Sequence, residues 1–119
     1  MKIILDTNFL IDCLRFNVDI KSELAENEIF ILDGVIFEIE KIAKRKTKES
    51  ALAKIALEFI AKNNIKILQT NERDVDKSLI SYSNQGYAIA THDSALKNKL
   101  KKLNAKVIFI RQKKYVVIE

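Results

Sequence analysis

The stretch Ile3-Ile4-Leu5-Asp6-Thr7-Asn8-Phe9-Leu10-Ile11-Asp12 decides the architecture. Ile3 to Leu5 form a short unbroken apolar run, the pattern of a strand buried on both faces of a parallel sheet. Thr7-Asn8 offers cap chemistry ahead of a second apolar segment, which reads as a helix from Phe9 to Phe16. Asp6 is thereby placed at the carboxyl end of a central strand. Open parallel α/β sheets bind ligands beyond those ends, so a carboxylate there is a site candidate, while a plain helix cap would occupy the same position.

Outward from this stretch, apolar runs and helical patterns alternate. A short helix is expected from Asp19 to Ala25, with Ile20 and Leu24 four apart, and then a strand from Ile29 to Leu32. Asp33-Gly34 starts the next helix, where Val35, Ile39 and Ile42 recur at helical spacing. Glu38 falls on the side of Val35 and Ile42, and Glu40 nearly opposite. A carboxylate beside an apolar stripe is costly unless something pairs with it, so Glu38 is the candidate and Glu40 an ordinary surface acid. A basic run follows, Lys41, Lys44, Arg45, Lys46 and Lys48, which suits either a solvated helix end or a phosphate-contacting patch. Ser50 to Lys62 reads as a helix with Leu52, Ile55, Ala56 and Phe59 on one face, and Ile65 to Leu68 as a strand.

From Arg73 the pattern is helical again, with Asp76, Leu79, Ile80 and Ser83 on one face, so Asp76 repeats the anomaly of Glu38. Gly86 stops that helix and Tyr87 to Ala90 forms another short strand. Thr91-His92-Asp93-Ser94 then leads into a helix with Leu96, Leu100 and Leu103 on its expected buried side, which puts Asp93 at a strand end as Asp6 is. Val107 to Ile110 reads as a further parallel strand, and Tyr115 to Ile118 as an edge strand or hairpin return. This alternation predicts an α/β fold with a mainly parallel sheet and right-handed crossovers.

The composition is compatible with one such unit. In 119 residues, 48% are hydrophobic and 31% charged, enough to build a core without disulfides or structural metal. The chain lacks proline and has only Gly34 and Gly86, so nothing marks a linker, and a single domain over 1–119 is expected. The lone Cys13, among Leu10, Ile11 and Leu14, is expected to pack rather than react. The N-terminal apolar run is broken by Asp6 and Asp12, unlike a signal peptide, and a cytoplasmic protein is expected. A net charge of +5 permits attraction to a polyanion without requiring it.

Asp6, Glu38, Asp76 and Asp93 gathered at one end of a sheet would repel one another without a counter-charge. A hard divalent cation, Mg²⁺ or Mn²⁺, accepts oxygen ligands of this kind, and no Cys/His cluster exists to build a zinc site. Acidic oxygen sites suit phosphoryl chemistry.

Taken in order, Leu5-Asp6-Thr7-Asn8-Phe9-Leu10-Ile11, Val35-Ile36-Phe37-Glu38-Ile39, Asp76 and Ile89-Ala90-Thr91-His92-Asp93-Ser94-Ala95-Leu96 resemble the PIN domain, a family of metal-dependent ribonucleases. The resemblance spans essentially the whole chain. It implies a three-layer α/β/α sandwich, an acidic metal centre of Asp6, Glu38, Asp76 and Asp93, and support from Asn8 and Thr91. It also implies a single-stranded RNA substrate, with Lys44, Arg45, Lys46, Lys48, Lys97 and Lys101 as candidate contacts. Ile108-Phe109-Ile110-Arg111-Gln112-Lys113-Lys114-Tyr115 and the Ala-Thr-His-Asp segment resemble the archaeal Fcf1-like branch that processes ribosomal RNA, more than the VapC toxins held by antitoxins. A homodimer, a ribosome-assembly partner or an antitoxin are the partners implied. Two positions depart from the pattern: Lys77 stands where a second acid is frequent, leaving Asp74 to compensate, and His92 stands where Asn is more usual.

Overall fold

In the computed structural model, which describes residues 1–119, β1 (Lys2–Leu5) lies at the centre of a six-stranded sheet. Its Ile3, Ile4 and Leu5 are wholly buried, as the unbroken apolar run requires. β2 (Glu28–Leu32) pairs in parallel on one side with Leu5 beside Ile31, and β4 (Ala88–Ala90) on the other with Leu5 beside Ala90. β3 (Lys66–Leu68) lies outside β2, and β5 (Val107–Arg111) outside β4, both parallel. β6 (Tyr115–Ile118) returns antiparallel along β5, so the tail is a hairpin. Its turn passes through Gln112 and Lys113, both at φ 55°. Paired left-handed residues of this kind match the twist of the two strands they join.

The sheet order β3-β2-β1-β4-β5-β6 contains one reversal of direction. The chain winds outward from β1 through β2 to β3, then crosses back to β4 on the far side of β1. With right-handed crossovers, that reversal puts the intervening helices on opposite faces. α1 (Thr7–Arg15), α3 (Asp33–Ala43) and α4 (Lys48–Lys62) pack together on one face, and α5 (Val75–Ser83) meets α6 (Ser94–Lys102) on the other. The short α2 (Ile20–Glu23) precedes β2. The architecture is the expected mixed α/β one, and its crevice opens between β1 and β4, where the winding switches. No helix is long and apolar enough to cross a membrane.

Two helical faces differ from expectation. α4 buries Ala53, Ala56 and Ile60, leaving Ile55 47% exposed, because it packs chiefly on α3 and presents small residues where the two backbones approach. On α6, Leu96 and Leu100 are buried, but Leu103 is 49% exposed, since the helix ends at Lys102 and Leu103 leaves its periodic face. Cys13 is fully buried in the core, and its thiol is pushed up to about 12 by that burial, then by the Asp12 and Glu23 charges, which makes it inert.

A candidate acidic site at the switch of the sheet

Asp6 is both a helix cap and a buried carboxylate at the candidate site. It is the N-cap of α1, one residue before the expected Thr7-Asn8 cap, and only 8% of it is exposed. Its backbone N–H donates to Ala90 O at 2.9 Å, extending the pairing of β1 with β4 to the last residue before the crevice. Its Oδ1 accepts from Thr7 N at 2.8 Å and its Oδ2 from the Thr91 hydroxyl at 2.9 Å. The Thr91 oxygen also accepts from Asp93 N at 3.1 Å. One fully buried threonine thereby ties the two strand-end acids to a common point, Asp6 by its side chain and Asp93 by its backbone.

Thr7 makes the corresponding tie to α3. Its hydroxyl donates to Glu38 Oε2 at 2.7 Å, across 31 positions of sequence, while Glu38 Oε1 has no protein donor. Asp93 caps α6 through Oδ1, which accepts from Leu96 N at 3.1 Å, and leaves Oδ2 free. Asp74 caps α5 by accepting from Lys77 N at 2.8 Å, so it precedes Asp76 as a structural acid. The loop before α5 is held by Asp33, whose Oδ1 accepts from Gly34 N, Thr70 N and the Thr70 hydroxyl at 2.7, 2.8 and 2.6 Å.

The acids are close enough to act on one another. Burial pushes the Asp6 carboxyl up to about 6; the Thr91 and Thr7 hydrogen bonds oppose this, and the Asp76 and Glu38 charges add to it. Asp76 is also raised, by partial burial first and then by Asp93, Asp74 and Glu38, with Lys99 opposing. Glu38 and Asp76 are nevertheless exposed rather than inward-facing, which corrects the stripe reading. The inward face of α5 carries Ser78 and Leu79 instead. Helical periodicity places these acids beside an apolar stripe, but the neighbour they look toward is the crevice. The carboxylates do not close into a preformed cage, and no three Asp, Glu, His or Cys side chains converge tightly enough to do so.

The other expected residues are distributed around this centre. Asn8 is exposed and lines a cleft of about 300 Å³ with Ile11, Asp12, Arg15, Glu49, His92 and Asp93. Lys44, Arg45 and Lys46 are exposed on the α3–α4 connection, and Lys48 is exposed at the start of α4. On α6, Lys97 lies over the Phe109 ring at 4.3 Å and Lys101 pairs with Glu119 at 3.1 Å, so both are engaged with the β5–β6 edge. Lys99 is the α6 lysine felt by Asp76. His92 is an internal strut: the Ile110 backbone N–H donates to Nε2 at 3.1 Å, so the ring proton sits on Nδ1 and is donated to Asp12 Oδ2 at 2.7 Å. Thr7 is the residue that the sequence leaves out of the candidate site, because there it is visible only as cap chemistry.

A second cleft, of about 310 Å³, opens at the amino ends of β2 and β3 between Leu24, Glu28, Phe59 and Lys66, away from the acids.

Carboxylates gathered at the winding switch of a doubly wound sheet place the chain among open α/β proteins that bind their ligands outside the strand ends. Within that class it belongs to the PIN-like domain family, whose model matches residues 3–113. It is 36% identical to Ribonuclease VapC4 of Methanocaldococcus jannaschii, across 98% of this chain and 95% of that protein. The solved structure of the PIN domain endonuclease Utp24 superposes with a TM-score of 0.81, covering 99% of this chain and 90% of that one at 23% identity. A domain of a functionally unknown protein from Methanocaldococcus jannaschii superposes at 0.66, over 92% of this chain and 91% of that one at 20% identity. These last two likenesses concern the fold.

Proposed function

We propose that this chain is a divalent-metal-dependent endoribonuclease that hydrolyses phosphodiester bonds of single-stranded RNA. The observation that carries the reading is Asp6: a strand-end carboxylate held by two threonines and raised first by its burial and then, in smaller part, by the neighbouring charges of Asp76 and Glu38. Such a cluster is stabilised by a cation. Its donor set fits a hard one, because the free atoms are all carboxylate oxygens and the only nearby imidazole is committed on both nitrogens. Asp6, Asp76 and Asp93 would hold Mg²⁺ or Mn²⁺, with Glu38 completing the site. When bound, the ion supplies positive charge that activates water and offsets charge developing on phosphate oxygens.

The chain's own groups do the positioning. Thr91 fixes the Asp6 carboxylate and the Asp93 loop together, and Thr7 fixes one oxygen of Glu38. The other, Oε1, is free to orient the attacking water and accept its proton. Lys44, Arg45, Lys46 and Lys48 offer exposed cations to flanking phosphates. The 36% identity to a protein named a ribonuclease supports the reaction class. For the biological target, the Ile89–Leu96 and Ile108–Tyr115 segments support ribosomal-RNA processing. The VapC name of the same relative favours a second reading, a toxin held by an antitoxin, for which a small adjacent reading frame is the discriminating sign.

The test is cleavage of an end-labelled, mixed-sequence single-stranded RNA with Mn²⁺, with EDTA, and by the Asp6→Asn variant. Cutting is expected only with metal and Asp6 together, with a loss of about 10²–10³-fold in the variant. Equal cutting with and without chelator would sink the metal mechanism. Tight RNA binding without cutting would instead point to an assembly module, the reading that Lys77 in place of an acid favours.

A further inference from the structure

Phe37 is 64% exposed, the most exposed large hydrophobic side chain in the protein. It lies on α3, whose apolar needs are already met by Val35 and Ile39 on the opposite side, so packing does not explain it. Its sequence neighbour is Glu38, which Thr7 connects to Asp6. One turn further along, Lys41 Nζ lies 5.5 Å from the Phe37 ring centroid, and the same helix runs into Lys44, Arg45 and Lys46. Along α3 the aromatic and the acid are thus adjacent, and the cations follow. With Lys41 on one side and so much of the residue exposed, the other face of the ring is open.

We propose that Phe37 is a stacking platform for an unpaired nucleobase next to the cleaved phosphate, with Lys41 and the following cations taking the backbone. Aromatic faces accept any base, and flanking cations track phosphates, which is the usual chemistry of single-strand binding. A protein contact would favour a broader apolar patch than one ring flanked by the charged side chains of Asp33, Glu40 and Lys41. The platform takes its substrate class from the endoribonuclease reading, but it is a binding feature with its own readout.

The experiment measures the affinity of the full chain for a labelled single-stranded RNA in EDTA, where no metal-dependent cutting occurs, and for an oligonucleotide of the same length lacking bases. Phe37→Ala is expected to weaken binding of the base-bearing RNA about tenfold. Phe37→Trp should restore it, and the abasic strand should bind wild type and Phe37→Ala alike. Thermal melting checks that both variants fold. RNA affinity within twofold of wild type for Phe37→Ala overturns the platform, as does wild type that does not bind RNA. Cutting that persists with unchanged affinity would leave the nuclease and remove the platform; a tenfold loss in a chain that never cuts would do the reverse. Unchanged RNA binding with loss of self-association in sedimentation would overturn it and assign the ring to a protein contact.

Discussion

At Asp6, helix capping and burial pull in opposite directions. Two donors favour the carboxylate, yet burial and two neighbouring acids outweigh them and leave the group at about 6. An acid raised above its ordinary 3.8 favours the folded state fully only while it is protonated, below its unfolded value. As pH climbs from there through about 6, the folded chain loses stability, and the deficit is constant above that. At pH 7 without metal, Asp6→Asn is therefore expected to stabilise the chain by about 1–3 kcal/mol, because the amide oxygen can keep one acceptor role without the charge. Added Mn²⁺ should raise the melting temperature of wild type and leave the variant unmoved. Calorimetric scans at pH 5 and pH 7 check this, and a variant melting below wild type at pH 7 in EDTA would refute it. The sequence shows Asp6 at a strand end, but not that cap and site are one residue, because both readings use the same position.

Among the elements, the strands were the most legible, since short unbroken apolar runs have few alternatives. Helical faces were less so: periodicity states an angle around the helix, not which neighbour that angle meets. Periodicity puts Glu38 and Asp76 near apolar stripes, yet both are exposed and face the crevice. What brings their helices together is Asp33, at the start of α3, gripping Thr70 ahead of α5. Gly34 permits the close approach, since a Cβ there would lie 2.6 Å from Thr70 Oγ1. The Thr70 hydrogen bonds, then burial in opposition and the Gly34 amide, leave the Asp33 carboxyl below its ordinary range. Its contribution is present above the unfolded value and is lost as pH falls through the lower folded one. Asp33→Ala is expected to lower the melting temperature slightly, as befits an exposed group, while reducing cleavage about tenfold by loosening Asp76 against Glu38. Equal cleavage by variant and wild type would show that the clamp does not govern the site.

Over the whole molecule, +5 is a misleading description, because the charges are segregated. Asp6, Glu38, Asp76 and Asp93 occupy the crevice, and the exposed cations of the α3–α4 connection begin nearly two turns beyond Glu38. A polyanion approaching the acids alone would be repelled; the basic connection supplies the attraction, and a cation in the crevice would remove the repulsion. Binding should accordingly weaken with salt in proportion to the phosphates neutralised, at a slope of roughly 0.7 per contact for a single strand. Replacing Lys44, Arg45 and Lys46 together by alanine is expected to reduce that slope by about 2. Phe37→Ala should lower affinity without changing it, since stacking releases no counterions. The same substitutions at Lys97 and Lys101, which are engaged with Phe109 and Glu119, should leave the slope nearly unaltered. Titrations of labelled RNA between 50 and 200 mM salt, about the range over which such contacts are resolved, separate these terms. A slope governed by Lys97 and Lys101 instead would move the RNA path from α3 to the β5–β6 edge.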